Sequence, residues 1–423
     1  MSIGGSLEGV RIIEIGTSVA VPYGCQILAD FGAEVIKVER LNGGDDARTW
    51  APLSDGVSIT FLSLNRNKRS VVLNYKDERG AQVLEDLIGS ADVLVQNLRP
   101  GALASAGFSR DRLRQLNPRL VYVEMTGYGR TGPRRDQPAY DAMLQAYSGV
   151  VAMTGADDGP PARVPLSMMD MGTGMWIALG VFDALRRREQ TGEGAHVEVS
   201  LLQTALAWVG TPLMSVAAGG PVPQRLGSGF RGNVPNGAFP ASDGHVFLSV
   251  GNNESFHRLL EAIEAPHLKD ASGFEDNLTR VQNRALVNER LGEATARFTM
   301  AELLERLERA KVPHSAVNTL DNVITDPQVR ALGQLEDIPH PRLGPTTVVN
   351  TPITFDGEYL EHRRTPPELG ADTAEVLAAL GLASGEVDDL LAAGVIETGA
   401  TEAPDEAGTD INQRTEMVGG KAS

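Results

Sequence analysis

The first ~125 residues alternate short β-branched runs with segments of helical period, and this alternation constrains the fold more than any other feature. The runs "GVRIIEIG", "EVIKVER", "RSVVLNY", "DVLVQNL" and "LVYVEMTGYG" have the length and branching of buried strands. Between and beside them, "PYGCQILADFGA", "ERGAQVLEDLIGSA" and "SRDRLRQLNPR" have helical spacing of apolar residues. Strands joined through helices of this length run parallel. The pattern therefore predicts parallel βαβ units in an α/β layer.

A helix over 175–188 and the run "AHVEVSLLQTALAWVG" extend that layer, so 1–210 reads as the N-terminal part of a large domain. Composition then shifts to Gly, Pro and small residues, and 211–240 reads as a long linker. Residues 241–330 hold a strand, several helices and a short second strand, the content of a smaller αβ domain. The stretch 331–398 begins Pro-rich and extended and ends in a helical pair. The polar end, 399–423, has no apolar face and is expected to be disordered.

Charge excludes some functions. Lys+Arg 38 against Asp+Glu 55 gives −17, a poor balance for general binding to nucleic acid or anionic membranes. Any anionic ligand needs a local basic cluster. Cys25 is the single cysteine, so an intrachain disulfide and a thiolate zinc site are excluded, and a reducing cytoplasm is the simplest setting. Inside an apolar helix pattern, Cys25 reads as core. The seven histidines show no ligand spacing, so no metal is expected. "MSIGGSLEGV" lacks the form of a signal peptide, and no apolar run is long enough to span a bilayer.

Asp170, in "PLSMMDMGTGMWIALGVFDALRRR", has two readings. It lies near the N-terminus of a helix that closes on three arginines, so it suits the role of N-cap. The same place suits a nucleophile. Helix dipole and free N–H groups would keep the carboxylate ionised, and Gly172, Thr173 and Gly174 would leave room for a substrate and expose backbone donors. Both readings stand on the sequence.

Four cations fall within 11 residues of this acidic chain: Arg66, Lys68, Arg69 and Lys76. They form either a solvated basic loop or a cradle for phosphates. Arg40 follows the second strand and "NLRPG" the fourth. Ligands of open α/β sheets bind outside the carboxyl ends of strands, so these residues point at one crevice. "TGYGRTGP" and "VGNNES" read as turns, the second also as a loop able to cover a site.

These elements form an ordered set: "LEGVRIIEIGTSVAVPYGCQILADFGAEVIKVER", "NRNKRSVVLNYK", "NLRPGALASAGFS", "LNPRLVYVEMTGYGRTGP", "PAYDAM", "MMDMGTGMWIALGVFDALRRREQTGEG" and "VPHSAVNTLDNVITDPQVRALG". From about residue 6 to about 385 the chain resembles the family III CoA-transferases, the formyl-CoA:oxalate and carnitine CoA-transferase (CaiB/BaiF-like) family, which also includes α-methylacyl-CoA racemase. The resemblance implies an interlocked homodimer, each subunit threaded through the other, with a Rossmann-like large domain that begins in 1–210 and a smaller αβ domain, 331–398 being a return linker and the C-terminal part of the large domain. It implies an acyl-CoA and a carboxylic acid as substrates, with no permanently bound cofactor.

The resemblance also assigns residues. Asp170 is the implied nucleophile. CoA contacts fall on Val19 and Ala20 after the first strand, Arg40, Leu73, Asn74, Tyr75 and Lys76, then Asn97, Leu98 and Arg99, and finally Tyr140 and Asp141. Val19 stands where the family carries a polar residue. Ala104 and Ser105 stand where some members carry a phosphate-binding arginine, which shifts that role toward Arg99 or Lys68. Gly251, Asn252 and Asn253 occupy the place of a glycine loop that closes over the nucleophile. The implied chemistry passes through an aspartyl anhydride and an aspartyl-CoA thioester, with no ATP or metal. Backbone N–H groups near Gly172 and the 251–253 loop would stabilise its oxyanions.

Two rivals remain at this stage. A 2-methylacyl-CoA racemase needs a second acid/base, and Tyr140 stands where racemases of the family carry histidine; free tyrosine, with a pKa of about 10, is a poor base at neutral pH. A non-catalytic CoA-binding protein is the other. Arg163, Arg225 and Arg231 either are solvated surface arginines or reach a second carboxylate, and the second reading favours a dicarboxyl-CoA donor such as succinyl-CoA.

Overall fold

The structure, a computed structural model, describes residues 5–399. The polar segment from 400 onward lies outside the described residues. Nine segments build the first layer: β1 (Arg11–Ile15), α1 (Ala20–Asp30), β2 (Glu34–Glu39), β3 (Lys68–Leu73), α2 (Glu78–Gly89), β4 (Val93–Gln96), β5 (Val121–Thr126), α3 (Asp141–Tyr147) and α4 (Met168–Thr191). β6 (Ala195–Ser200) and α5 (Leu201–Trp208) follow. Strand β1 pairs in parallel with β2 and β4, and parallel pairing continues through β3, β5 and β6. The last strand among the described residues, β12 (Ile396–Glu397), adds antiparallel to β3, so the seven strands run β12-β3-β2-β1-β4-β5-β6.

Strand alternation gives the sheet two apolar faces. Ile12, Val93 and Val121 face the core formed with α1, α4 and α5. Ile13, Ile15 and Leu94 face the opposite core with α2 and the C-terminal helices Thr373–Ala379 and Ser384–Ala392. Covering both faces is what a parallel sheet requires. The longest helix, α4, has 24 residues, about 36 Å at 1.5 Å per residue, and stops at Gly192 in the left-handed conformation.

Helices α1 and α4 touch backbone to backbone. A Cβ on Gly174 would lie 2.8 Å from Ala20 O and 2.9 Å from Gly24 N, and one on Gly24 would lie 2.8 Å from Gly174 O. Only glycine permits that approach. α4 therefore sits against the segment where β1 turns into α1.

Residues 236–316 form a separate core around a three-stranded antiparallel sheet. Its strands are β7 (Asn236–Ala241), β8 (Gly244–Ser249) and β9 (His314–Ala316), packed with Phe256, Leu259, Leu291 and Leu303 from the helices around it. The Pro-rich stretch after 331 contains more order than its composition suggests: β10 (Leu335–His340) and β11 (Gly344–Val349) form a hairpin. Among the described residues, no helix is long and apolar enough to cross a membrane.

Candidate active site

Asp170 is the third residue of α4, because the helix begins at Met168, seven residues before the apolar period becomes visible in sequence. The N-cap is Ser167, and its side chain makes no capping bond. The cap comes instead from Asp141 on α3. Its Oδ2 accepts from Met169 N at 2.6 Å and from Asp170 N at 3.2 Å. The reading of Asp170 as the cap is therefore corrected: a second carboxylate, 29 residues upstream, does that work.

The expected ionised state is corrected with it. Burial raises the Asp170 carboxyl from the ordinary carboxylate range to about 7, and the neighbouring Asp141 charge adds to the rise. The amides that should have favoured the anion are already committed to Asp141. Among the described residues, none donates a hydrogen bond to the half-buried Asp170 side chain.

Gln145 fixes this arrangement. Fully buried, its Nε2 donates to Asp141 Oδ1 at 2.6 Å and to Leu166 O at 3.1 Å, and its Oε1 accepts from Val164 N at 2.9 Å. It thus ties α3 to the segment that enters α4. The small residues after Asp170 serve packing more than substrate space. Gly172 lies under Trp208, whose ring is 2.2 Å from where a Cβ would be. Thr173 Oγ1 lies 2.7 Å from Thr204 Oγ1. Gly172 lies inside the helix, where backbone N–H groups serve helical carbonyls, so it offers no oxyanion donor.

The phosphate cradle expected of 66–76 is largely absent. Arg66 is buried against Asp30, with Nη2 2.6 Å from Oδ2. Lys68 is fully enclosed, 2.8 Å from Glu14, and cannot reach a phosphate. Arg69 is held by Glu34, Asp372 and Glu375. Of the four cations only Lys76 stands exposed. A strand that leads inward carries its cations into the core, and buried carboxylates are what keeps them there.

The other positions divide. Val19 and Ala20 are buried, Val19 as the residue preceding α1. Arg40 is exposed and paired with Asp46. Leu73 is core, while Asn74 and Tyr75 are half-buried beside Lys76. The Asn97 side chain is spent on Thr17, accepting from its N–H at 3.0 Å and donating to its carbonyl at 2.9 Å. Leu98 is half-buried, and Arg99 is exposed. Tyr140 is 67% exposed, whereas Asp141 beside it is 7% exposed. Asn252 caps the helix Asn253–Ala262 through Ser255 N at 2.8 Å, Asn253 reaches Glu275 O, and Gly251 is exposed. Arg225 holds Ala156 O and Arg231 holds Val222 O, while Arg163 is exposed.

A cleft of about 390 Å³ opens at the carboxyl ends of β4 and β5. It gathers Arg99, Arg110, Arg130 and Arg135 around Gln96, Ala104 and Thr126. Arg110, Arg130 and Arg135 were missed from sequence; Arg130 lay inside "TGYGRTGP", a stretch that reads as a plain turn. A larger cleft, about 1110 Å³, lies between the β10–β11 hairpin and residues 356–365 and holds none of the predicted site residues. Sequence spacing also missed Glu124, His196 and Glu198. Neighbouring strands bring them within 4.8 Å of one another, the distances of a metal-ligand set, although Arg130 pairs with both carboxylates.

Comparison with known proteins fits this geometry. The family model described as CoA-transferase family III matches residues 7–373. The human succinyl-CoA:glutarate CoA-transferase is 33% identical over 393 residues, covering 92% of this chain and 90% of that protein. The beta subunit of succinyl-CoA–L-malate CoA-transferase from Chloroflexus aurantiacus is 34% identical, covering 92% of this chain and 98% of that one. A solved CaiB/BaiF family protein from Brucella suis superposes with a TM-score of 0.82 at 31% identity, over 89% of this chain and all of that one. A match across most of the length, with curated transferases on both counts, makes this chain a member of CoA-transferase family III and an enzyme that transfers CoA.

Proposed function

We propose that the enzyme moves CoA from a dicarboxyl-CoA donor such as succinyl-CoA to a carboxylic acid, with Asp170 as covalent nucleophile. The observation that carries this reading is the unpartnered Asp170 carboxyl beside a fully engaged Asp141. A carboxylate whose amides are taken by a neighbour is left free to attack. The donor class is supported by the relatives named as succinyl-CoA transferases.

The Asp170 carboxylate attacks the thioester carbonyl, the C–S bond breaks, and CoA thiolate leaves an acyl-aspartyl anhydride. The thiolate attacks the aspartyl carbonyl and releases the donor acid, leaving an aspartyl-CoA thioester. The acceptor carboxylate attacks that thioester, the C–S bond breaks to release CoA thiolate, and a second anhydride forms. Thiolate attack on its acyl carbonyl yields the new acyl-CoA and restores Asp170. Each step exchanges one activated carboxyl for another, so no electrons are gained or lost.

CoA phosphates would lie in the arginine cleft, where Arg99, Arg110 and Arg135 supply charge that the buried 66–69 cations do not. We also propose the interlocked homodimer, its large domain drawn from 1–210 and 331–398 and its small one from 241–330. Met171, Met175, Trp176 and Leu179 support it, an exposed apolar stripe on the Asp170 helix itself. The test is a screen of succinyl-, acetyl- and formyl-CoA against a panel of acids, with the mass of the native assembly measured alongside. Full turnover of Asp170→Ala would remove the nucleophile assignment.

A further inference from the structure

Glu14, Lys37, Asp45 and Lys68 lie buried beneath the carboxyl end of β1, and their side chains are fully enclosed. Lys37 Nζ is 2.7 Å from Glu14 and 2.8 Å from Asp45. Lys68 Nζ is 2.8 Å from the other Glu14 oxygen. Two cations and two anions balance. Burying four charges is nonetheless a costly way to fill a core, since apolar side chains of the same volume are often as stable or more so.

What the tetrad does with its remaining bonding capacity is specific. Lys37 donates to Gly16 O at 2.7 Å, and Lys68 donates to Pro22 O at 2.8 Å. Asp45 accepts from Ser18 N at 3.0 Å. These three bonds fall on the segment 16–22, where β1 turns into α1; Lys68 also donates to Asn65 Oδ1 at 2.9 Å, and Asp45 Oδ1 also accepts from Ala47 N at 3.0 Å. Ser18 in that segment has φ +71, a left-handed conformation that a non-glycine residue holds only when its surroundings enforce it. The next residues carry the backbone contact to Gly174, one turn beyond Asp170.

We infer that this buried tetrad is a positioning device for the reaction: it sets the 16–22 segment, and through the Gly24–Gly174 contact the Asp170 turn. The inference rests on the reading of Asp170 as nucleophile. None of the four residues touches the reacting atoms.

The test is the charge-balanced pair Glu14→Gln with Lys68→Met, assayed for turnover, thermal stability and amide exchange of residues 16–22. Removing both partners leaves no orphan charge; Lys68→Met does free Pro22 O and Asn65 Oδ1, so melting falls, but less than in either single variant. Misplacement of the nucleophile lowers kcat by about 10- to 100-fold with a smaller change in the acyl-CoA KM. Amide exchange at 16–22 speeds up while the rest of the sheet is unchanged. Full kcat, or a kcat loss that follows melting with unaltered exchange at 16–22, overturns the inference. Asp45→Asn with Lys37→Met, equally charge-balanced, gives the same readouts should the first pair fail to fold. Asp170→Ala is run alongside: if it turns over, the nucleophile assignment falls, while the exchange result still decides the tetrad's grip on 16–22.

Discussion

Asp141 Oδ2 accepts hydrogen bonds from the amides of Met169 and Asp170, at 2.6 and 3.2 Å, and so occupies the helix terminus that Asp170 itself would otherwise use. One carboxylate is satisfied and the other is not. Burial disfavours the ionised form of Asp170, and the like charge of Asp141 adds to the effect.

The first consequence is a pH profile. On the proposed mechanism Asp170 is ionised when it attacks, so kcat/KM rises through about 7 and levels above it. The stability effect has the opposite sign. With the folded value raised above the unfolded one, the penalty is absent below the ordinary carboxylate range, grows toward 7 and is complete above it. Melting of the wild type relative to Asp170→Asn therefore declines between those limits and then stays flat. A rate profile already flat by pH 5 contradicts this.

Asp141 variants separate cap from charge. Asp141→Asn keeps an acceptor for the helix amides but removes the like charge, so the rising limb of kcat/KM moves to lower pH. Asp141→Ala loses the cap as well and costs about 1–2 kcal/mol of stability. Denaturant melts and pH–rate profiles on the two proteins check both statements.

The two glycines after Asp170 differ in what confines them. Gly174 faces backbone, so Gly174→Ala overpacks α1 against α4 and costs about 1–3 kcal/mol, which exceeds the ~1 kcal/mol of helix propensity gained. Gly172 faces the half-exposed ring of Trp208, a side chain able to move. Gly172→Ala is accordingly close to neutral in melting. Equal losses in both variants would contradict this account of the packing.

The strands and helices of the first layer were legible because β-branched runs and helical period are local signals. The family was legible because its motifs are ordered along the chain. Partnership was not. Lys68 and Arg66 read as surface cations, yet their counter-charges, Glu14 and Asp30, are 54 and 36 residues away and meet them only in the fold. Asp170 read as a cap because the residue that does cap, Asp141, lies on another helix. Arg110, Arg130 and Arg135 converge for the same reason, through strands β4 and β5.

That convergence gives a prediction for CoA binding. Arg99→Ala or Arg110→Ala removes a charge-assisted contact and raises the KM for acyl-CoA about 10-fold, with kcat little changed. Added salt raises KM in the wild type and does so less in the variants. Lys68→Met, by contrast, does not follow this salt pattern, since Lys68 is enclosed. Steady-state kinetics across a salt series distinguishes the two sets.

The central claim is that Asp170 carries the acyl and CoA groups in turn. The most direct measurement is borohydride trapping of the enzyme incubated with succinyl-CoA, followed by peptide mass spectrometry. Reduction of an aspartyl thioester converts that residue to homoserine. The mass change is expected at Asp170, and only when acyl-CoA is present. An unmodified Asp170 in enzyme that is turning over, or modification of another carboxylate in its place, would contradict it.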